Sequence, residues 1–549
     1  MTNPTNLART AVLIVFAIFC GKAVSQTTFY IDPSFSGAGR NGSAAAPWQS
    51  MNDSGASSAI NSALASNNVT VYFSASQTQS STLSLSRTDG STHVLTLNGT
   101  EMVNANDGVN NAVTSWKPGV TLTPCVGYRC AANGAWIGHQ YTVSAGIAIS
   151  GPNSVNNCIG YFDVRGFKFV SGGQIAVLTY IHDLTFEYNE DTVNNGTIGP
   201  GVYIGAGQHG PCNASTSTAG GPDNVVMQYN WTHKTYGECI YDGASTSDPP
   251  GGPGNSEYTA NGMTCGTNCN TGAHHRILYN TNEDCAYWGG QGDGTDIKDG
   301  HADLWFRGNT NRPSVDSPAG QGGAMGMVTE ASAIIDGNYF EDPGSKLCNG
   351  IRVADSWYNF AGRQDQLIIR NNIVNGFKSG ACNNYGIYLT SPDYAQSLAY
   401  WTTPISIYNN TVYNTGNSCI SLSSSSLDGS AVANVENNIC DGTSGGVSGA
   451  STHDYNDYFN AKVTCPVSGE SHSLCVDPLF MSTASPYSAS SFMLQSASPV
   501  ASVGIDLASI FTDDYLNDTR ATPWDFGAFG SGASATAPAA PTGLVAVVN

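Results

Sequence analysis

The chain repeats a four-residue phrase eight times, and this repetition restricts the possible folds more than any other feature. Each copy has an apolar residue first, any residue second, Tyr, Gly or Asn third, and Asn last. The copies end at Asn189, Asn230, Asn280, Asn309, Asn338, Asn372, Asn410 and Asn438, at spacings of 28 to 50 residues. Such spacing is typical of a solenoid whose length differences lie in loops. Because Asn suits turns and hydrogen-bonds to nearby backbone, we predict an all-β, right-handed parallel β-helix with the amides stacked at one corner.

A second phrase falls once between successive Asn copies and reads small residue, apolar residue, variable residue, then a mostly apolar residue. Side chains alternate across a strand, so an inward second position implies an outward third position. In the coil with the most charges we align the phrase as Asp296-Ile297-Lys298-Asp299, with Ile297 inward. The predicted outward column is then Tyr203, Tyr241, Lys298, Val328, Arg352, Tyr388 and Ser421.

Charge narrows the range of partners. The formal net charge is −21, and only 11% of the residues are charged. Nucleic-acid binders are typically basic, so we exclude a nucleic-acid partner. An acidic polysaccharide remains compatible if a local basic patch or a bound cation offsets the repulsion.

The N-terminus reads as a secretory signal, with Arg9, an apolar run over residues 11–20, and small residues before a cut that we place after Ser25. The run is too short to cross a bilayer as a helix, so we predict a secreted or cell-surface protein without a membrane span. Removal of Cys20 leaves fourteen of the fifteen cysteines, and in an exported protein these are expected to form disulfides. Local pairs are available at Cys125 and Cys130, Cys265 and Cys269, and Cys465 and Cys475. The alternative for Cys265 and Cys269 is half of a zinc site with His274 and His275.

The chain divides into five regions by composition and pattern. Residues 1–25 are the signal, and residues 26–160 are a cap with irregular first coils, in which a short helix over Ser57 to Ala65 covers the open end. The regular β-helix occupies residues 161–460, the C-terminal coils and cap residues 461–529, and a linker-like tail residues 530–549. Residues 206–223 and 243–272 are rich in Gly, Pro, Ser and Asn and are predicted to project as loops.

Several short motifs support a resemblance to a known family. They are Tyr30-Ile31-Asp32-Pro33, Ala46-Pro47-Trp48, Asp477-Pro478-Leu479-Phe480, Ser498-Pro499 and Trp524-Asp525-Phe526-Gly527-Ala528-Phe529. With the Asn phrases, they resemble the exported bacterial right-handed parallel β-helix proteins of the pectin-lyase-like superfamily. The resemblance covers essentially the whole mature chain and implies the fold. It leaves activity open, because that superfamily includes lyases, hydrolases, epimerases and non-enzymatic surface proteins.

Candidate chemistry concentrates between Glu283 and His301, where five carboxylates, a Lys and a His fall within nineteen residues. The turn Asp293-Gly294-Thr295-Asp296 resembles the calcium-binding acidic turn of some β-helix polysaccharide lyases. Carboxylate oxygens suit calcium, and Gly permits the tight turn between them. We predict a calcium site at Asp293, Asp296 and Asp299.

The resemblance to uronate lyases implies β-elimination from an extracellular polysaccharide, in which a cation neutralises the sugar carboxylate and a base removes the adjacent proton. We assign catalysis to Lys298 and Arg352, two rungs apart in the predicted column. Substrate contacts are assigned to Tyr203, Tyr241, Tyr388, His301 and Arg307.

Three alternatives stay open. In the first alternative, Lys298 forms an ion pair with Asp296 or Asp299 on a solvated strand and has no catalytic role. In the second alternative, the protein is a non-catalytic, adhesin-like module that binds glycans on its long face. In the third alternative, the protein is a glycoside hydrolase, which requires carboxylates that face one cleft. The candidates are Glu283, Asp284, Asp299 and Asp242.

Overall fold

The computed structural model describes residues 25–74, 77–85, 87–106, 113–117, 122, 135–150, 159–171, 176–179, 181–193, 199–205, 223–243, 272–288, 293–297, 301–302, 304–312, 325–329, 333–342, 344, 347–353, 367–378, 383–389, 404–422, 432–482, 484 and 487–530. Three long parallel sheets run side by side, and each coil contributes one strand to each sheet in turn. The chain is therefore a parallel β-helix, as predicted.

The first sheet, sheet I, has sixteen strands among the described residues. Its main path is β1 Gln26–Ile31, β2 Asn68–Ser74, β5 Leu95–Asn106, β9 Ile159–Arg165, β12 Ile181–Glu187, β15 Asp223–Gln228, β19 Arg276–Leu278, β23 Leu304–Arg307, β26 Ala333–Asp336, β29 Leu367–Arg370, β32 Ile405–Tyr408, β35 Ala433–Glu436 and β38 Thr452–Asp454. Beside this path lie β6 Val113–Lys117, which pairs antiparallel with β5, and the short strands β18 Gly272–Ala273 and β22 His301–Ala302.

Sheets II and III have eleven described strands each. Sheet II consists of β3 Thr78–Gln79, β7 Tyr141–Val143, β10 Phe167–Ser171, β13 Glu190–Val193, β16 Trp231–His233, β20 Thr281–Glu283, β24 Thr310–Arg312, β27 Tyr339–Glu341, β30 Ile373–Asn375, β33 Thr411–Tyr413 and β36 Ile439–Asp441. Sheet III consists of β4 Leu83–Leu85, β8 Ile147–Ser150, β11 Ala176–Thr179, β14 Val202–Gly205, β17 Ile240–Gly243, β21 Thr295–Ile297, β25 Met325–Thr329, β28 Asn349–Val353, β31 Ile387–Leu389, β34 Ser418–Leu422 and β37 Gly445–Ser448.

The Asn phrases stack in the turn from sheet I to sheet II and form the predicted ladder. The Oδ1 of Asn338 accepts hydrogen bonds from the backbone N–H of Asn309 at 2.8 Å and from its Nδ2 at 3.1 Å. The Nδ2 of Asn338 donates to the carbonyl of Phe306 at 2.9 Å and to Oδ1 of Asn372 at 2.9 Å. The same pattern continues to Asn456, whose phrase begins with His453 and was missed in the sequence for that reason. Each amide is buried and links consecutive coils, so the ladder determines their register.

The third position of each phrase takes the left-handed backbone conformation. The residue type at this position depends on which groups cover the turn from sheet I to sheet II. Tyr188, Tyr229 and Tyr279 have φ of 53°, 55° and 55°. Their rings stack at centroid separations of 5.0 and 5.4 Å, and the Trp136 ring packs edge-on against Tyr188. Gly308 follows this stack, where a Cβ would lie 2.3 Å from the Tyr279 ring. Aromatic stacking thus offsets the strain of a left-handed Tyr.

Residues 474–530, here the C-terminal segment, cover the rest of this corner. Asn371, Asn409 and Asn437 occupy the third phrase position with φ of 52° to 60°. Their Nδ2 groups donate to the segment's backbone carbonyls at Asp513, Asp525 and Ile505. The segment buries Phe480, Phe492, Val500, Tyr515 and Phe526 against outward residues of the late coils. Three Asn replace three Tyr because the cover here is a polar backbone.

The predicted N-terminal helix is confirmed as α1, Ala56–Leu64. Its apolar face, formed by Ala56, Ile60 and Leu64, joins the same core cluster as Ile31 and Val69 of the first two strands. Among the described residues α1 is the only α-helix, and none of them forms a helix long and apolar enough to cross a membrane.

Three disulfides lie among the described residues. Cys465–Cys475 confirms a predicted local pair, whereas Cys239–Cys285 and Cys419–Cys440 join successive coils. Cys125, Cys130, Cys265 and Cys269 lie outside the described residues. Disulfides are typical of proteins that mature in an oxidising compartment.

We expect Asn338→Ala to lower the free energy of unfolding by about 3 kcal/mol or more, because each buried group left without a partner costs roughly 1–3 kcal/mol. The variant removes the acceptor of the Asn309 N–H and the donor to the Phe306 carbonyl. Chemical denaturation measures the loss, with the exposed Asn52→Ala as the matched control. Equal stability of the two variants would contradict a structural role for the ladder.

A buried carboxyl group at the end of the solenoid makes stability depend on pH. Asp457 is fully buried, its Oδ1 accepts the N–H of Val476 at 3.0 Å, and Oδ2 has no hydrogen-bond partner among the described residues. Burial, and then the charges of Asp441 and Asp477, raise the pKa of Asp457 to about 7. Burial also raises the pKa of Asp441 to about 6. The folded state thus holds protons that the unfolded chain releases near pH 4.

Stability should therefore fall as pH rises from about 4 to about 7, because the folded state binds more protons than the unfolded state in that range. Asp457→Asn should unfold at a higher temperature than the native protein at pH 8 and at the same temperature near pH 4. Asp454→Asn is the contrasting variant. Despite partial burial, hydrogen bonds from His472 lower the pKa of Asp454 to about 2, so this variant should be destabilised at pH 8. Thermal unfolding across pH checks both signs, and a destabilised Asp457→Asn at pH 8 would refute the assignment.

Candidate functional site

The outward column of sheet III exists as a continuous row, and its register is defined by strand pairing. Tyr203 pairs with Tyr241, Tyr241 with Asp296, Asp296 with Val328, Val328 with Arg352, Arg352 with Tyr388, and Tyr388 with Ser421. Six of the seven predicted members are therefore confirmed in place. We call this row the site column.

The predicted register of one coil is wrong by two residues. Asp296, not Lys298, lies between Tyr241 and Val328 in the site column. The inward position level with Ile240 and Met327 belongs to Thr295, and Ile297 pairs with Asp242. Lys298 follows directly after the last described residue of β21 and lies outside the described residues, as does Asp299.

The interior behind this coil is polar, which explains the error. Thr295 donates from Oγ1 to Oδ1 of Asn311 at 3.0 Å, and Nδ2 of Asn282 donates to the same oxygen at 2.8 Å. Asn282 and Asn311 are fully buried inward residues of sheet II. An alignment that requires an apolar inward residue therefore selects Ile297 in place of Thr295. The network holds β21, and with it Asp296, from inside the coil.

Three buried carboxylates converge at this coil. Glu238, Asp293 and Asp296 place one oxygen each within 4.8 Å of one another, and we call them the acidic group. Calcium binds oxygen ligands at about 2.3–2.6 Å, so ligands on opposite sides of one ion are about 5 Å apart. The donor set therefore fits calcium, and Asp293 and Asp296 come together as the sequence predicted.

Glu238 is the member of the acidic group that the sequence analysis missed. It lies one coil before Asp293, and the N–H of Cys239 donates to the carbonyl of Gly294 at 3.2 Å, which sets Glu238 level with Asp293. The disulfide from Cys239 to Cys285 fixes this stretch to the next coil. The repeated phrase that contains Ile240 could have revealed this residue. When Ile240 is aligned with Thr295, Glu238 lies beside Asp293.

Aromatic and cationic residues flank the acidic group along the site column. The half-buried rings of Tyr203 and Tyr241 are 5.7 Å apart at their centroids. Arg352 is half-buried two rungs beyond Asp296, about 10 Å away by strand spacing. One rung further, the Tyr388 ring stacks on Tyr385 at 4.4 Å. The column thus offers ring faces at both ends and charges between them.

Arg307, predicted to contact substrate, does not lie on this face. It is an outward residue of sheet I under the C-terminal segment, where it forms ion pairs with Asp336 and Asp513 and a hydrogen bond with Asn517. These contacts make it a link between the coils and the C-terminal segment, so the predicted sugar contact is wrong in placement. His301 contributes backbone to β22, and its side chain, like the loop 244–271, is outside the description.

Asp242 and Glu283, two of the carboxylates considered for hydrolysis, lie on different sheets, and Asp299 lies outside the described residues. Asp242 is fully buried, and its Oδ2 lies 2.8 Å from Nδ1 of the buried His275. Glu283 is on sheet II, where its Oε2 accepts the indole N–H of Trp231 at 3.1 Å. Asp242 and Glu283 therefore do not form the carboxylate pair that a glycoside hydrolase requires.

Comparison with known proteins gives similarity in fold. The chain is similar to pectate lyase Pel9A, with 13% identity, a TM-score of 0.37, and coverage of 93% of this chain and 97% of that chain. It is similar to XylC solved with xylose, at 10% identity, a TM-score of 0.45 and coverage of 92% and 98%. It is also similar to an alginate lyase from Paenibacillus sp. str. FPU-7, at 13% identity, a TM-score of 0.30 and coverage of 72% and 95%. No protein-family model and no curated protein matches the chain.

Calcium should raise the unfolding temperature of the native protein, because an ion that binds only the folded acidic group stabilises it. Asp296→Asn should abolish this rise, since it removes one of three converging carboxylates. Glu436→Gln, which changes an outward carboxylate on sheet I, is the matched control and should keep the rise. Scanning calorimetry with and without calcium decides the matter, and an equal calcium response in Asp296→Asn would refute the site.

Proposed function

We propose that the protein is a secreted enzyme that binds an acidic extracellular polysaccharide along the site column and cleaves it by calcium-assisted β-elimination. The observation that carries the proposal is the convergence of Glu238, Asp293 and Asp296 at the column position between Tyr241 and Val328. Calcium held there would supply a positive charge on the site column and would neutralise a uronate carboxylate. The disulfides support secretion.

Each residue then has a defined part in binding. The Tyr203 and Tyr241 rings present apolar faces to sugar rings on one side of the acidic group. The guanidinium of Arg352, on the other side, donates charge-assisted hydrogen bonds to a uronate carboxylate. The spacing of about 10 Å between Asp296 and Arg352 would let the two residues contact different sugar units of one polysaccharide chain.

Lys298 is the proposed base. Its neutral amine takes the proton from C5 of the uronate, the electrons of that bond form the C4–C5 double bond, and the glycosidic oxygen leaves from C4 and takes a proton from water. A free Lys has a pKa of about 10.4 and is mostly protonated at neutral pH. A nearby Arg352 and bound calcium would lower that pKa, whereas the acidic group would raise it. The proposal therefore requires activity that increases with pH.

A second candidate is a non-catalytic glycan-binding module. It is favoured by the ring pairs at both ends of the site column, Tyr203 with Tyr241 and Tyr385 with Tyr388, because ring faces would hold sugars without any base. Both candidates predict binding to the same face, and they differ in whether an unsaturated product forms.

The test measures the ultraviolet absorbance of unsaturated product with polygalacturonate, alginate and neutral xylan, with and without calcium. We expect product from one acidic polymer, only with calcium, and none from xylan. Lys298→Ala should abolish product while oligosaccharide affinity stays within about twofold. Arg352→Ala should weaken affinity about tenfold, because one charge-assisted hydrogen bond is worth roughly 1.5–3 kcal/mol.

Absence of product from every acidic polymer, together with affinity that falls in Tyr241→Ala and Tyr388→Ala, would support the binding module. Full activity of Lys298→Ala would refute the assigned base. Met481 is exposed and is remote from the site column in sequence. Met481→Ala is therefore the control variant and should keep the activity and affinity of the native protein.

A further inference from the structure

We propose that Lys234, Tyr287 and Trp288 form an additional subsite that binds one acidic sugar unit beside the acidic group. The inference rests on the proposed function, because it assigns this subsite to the same polysaccharide. It extends that function from the face of sheet III to the turn between sheets II and III.

The turn that carries the two aromatic residues is fixed against the turn between β16 and β17 that carries Glu238. Cys285 is disulfide-bonded to Cys239, with 5.1 Å between their Cα atoms. The N–H of Ala286 donates to the carbonyl of Gly237 at 2.8 Å, and the N–H of Trp288 donates to the carbonyl of Thr235 at 3.3 Å. The backbone that carries the Tyr287 and Trp288 rings is therefore held next to the acidic group.

Trp288 presents a large ring to solvent at this place. Its exposure is 41%, and no other tryptophan whose burial is described is exposed. The half-buried Tyr287 ring stands 5.0 Å from it at 83°, so the two planes form a corner. Exposed aromatic faces beside polar groups are a favourable surface for the apolar face of a sugar ring.

Lys234 adds a cation at the same corner. It is exposed, and its Nζ lies 5.6 Å from the centroid of the Tyr287 ring. Its backbone N–H donates to the carbonyl of Glu283 at 3.2 Å, and its φ is 52°, so the loop that presents it is held in a turn. An ammonium group next to a ring face matches a sugar that has both a carboxylate and an apolar face, which is a uronate and not a neutral hexose or pentose.

The test uses calorimetric titration of the full protein with hexagalacturonate, hexamannuronate and neutral xylohexaose in calcium. We expect Trp288→Ala to weaken binding of one acidic hexamer about tenfold, and Trp288→Phe to recover part of the loss. Lys234→Gln should weaken the acidic hexamer about fivefold and leave the response to xylohexaose as in the native protein. Met481→Ala is the exposed apolar control and should bind as the native protein does.

The two proposals fail separately. Native affinity in Trp288→Ala and Lys234→Gln, with binding lost in Asp296→Asn, would overturn the subsite and leave the proposed function intact. Weaker binding in the subsite variants, with no effect of calcium or of Asp296→Asn, would support the subsite and reject the calcium role. An equal loss in Met481→Ala, or no binding of either acidic hexamer by the native protein, would overturn the subsite.

Discussion

The buried amide ladder is the interaction on which the rest of the structure depends. Each ladder Asn bonds to the backbone and the amide of the neighbouring coil, as Asn309 does to Asn338. A slip of one residue in a strand would turn every side chain to the opposite face. By locking one corner of each coil, the ladder therefore also decides which residues share a column on the other sheets. The site column is a consequence of this register.

The corner that carries the ladder is covered in two different ways along the solenoid. Stacked Tyr rings cover the corner in the early coils, and backbone carbonyls of the C-terminal segment cover it in the late coils. Arg520 is buried there and donates to the carbonyls of Gly527 and Ala528 and to Oδ1 of Asn371. The segment also buries its own aromatic residues against outward residues of sheet II such as Tyr339 and Ile373.

The amino-acid sequence was sufficient to predict the β-helix, the ladder and six members of the site column, because these follow from residues that repeat once per coil. It failed at Lys298, where the rule that inward residues are apolar does not hold. Thr295 points inward to Asn282 and Asn311, and a polar interior cannot be recognised from one strand alone. It also missed Glu238, whose proximity to Asp293 depends on pairing between coils. Arg307 was misassigned because its partner Asp513 is 206 residues away.

The polar interior and the acidic group occupy the same coils, and the interior of these coils differs from that of the others. Elsewhere the core is formed by stacked aliphatic and aromatic residues such as Phe306 and Phe340. Behind Asp296 it is formed by side chains that hydrogen-bond to one another. Directional bonds hold a strand in one position more strictly than apolar packing does. A site that binds a cation needs that precision, because ligand distances vary by only a few tenths of an ångström.

We propose that a cation at the acidic group joins the protein to an acidic sugar. The most direct measurement is a crystal structure obtained with calcium and trigalacturonate, with the ion located by its anomalous scattering. We expect one ion at about 2.3–2.6 Å from oxygens of Glu238, Asp293 and Asp296, with a sugar carboxylate on the ion and another near Arg352. An ordered trisaccharide on a different face, or no ion among these three carboxylates, would contradict it.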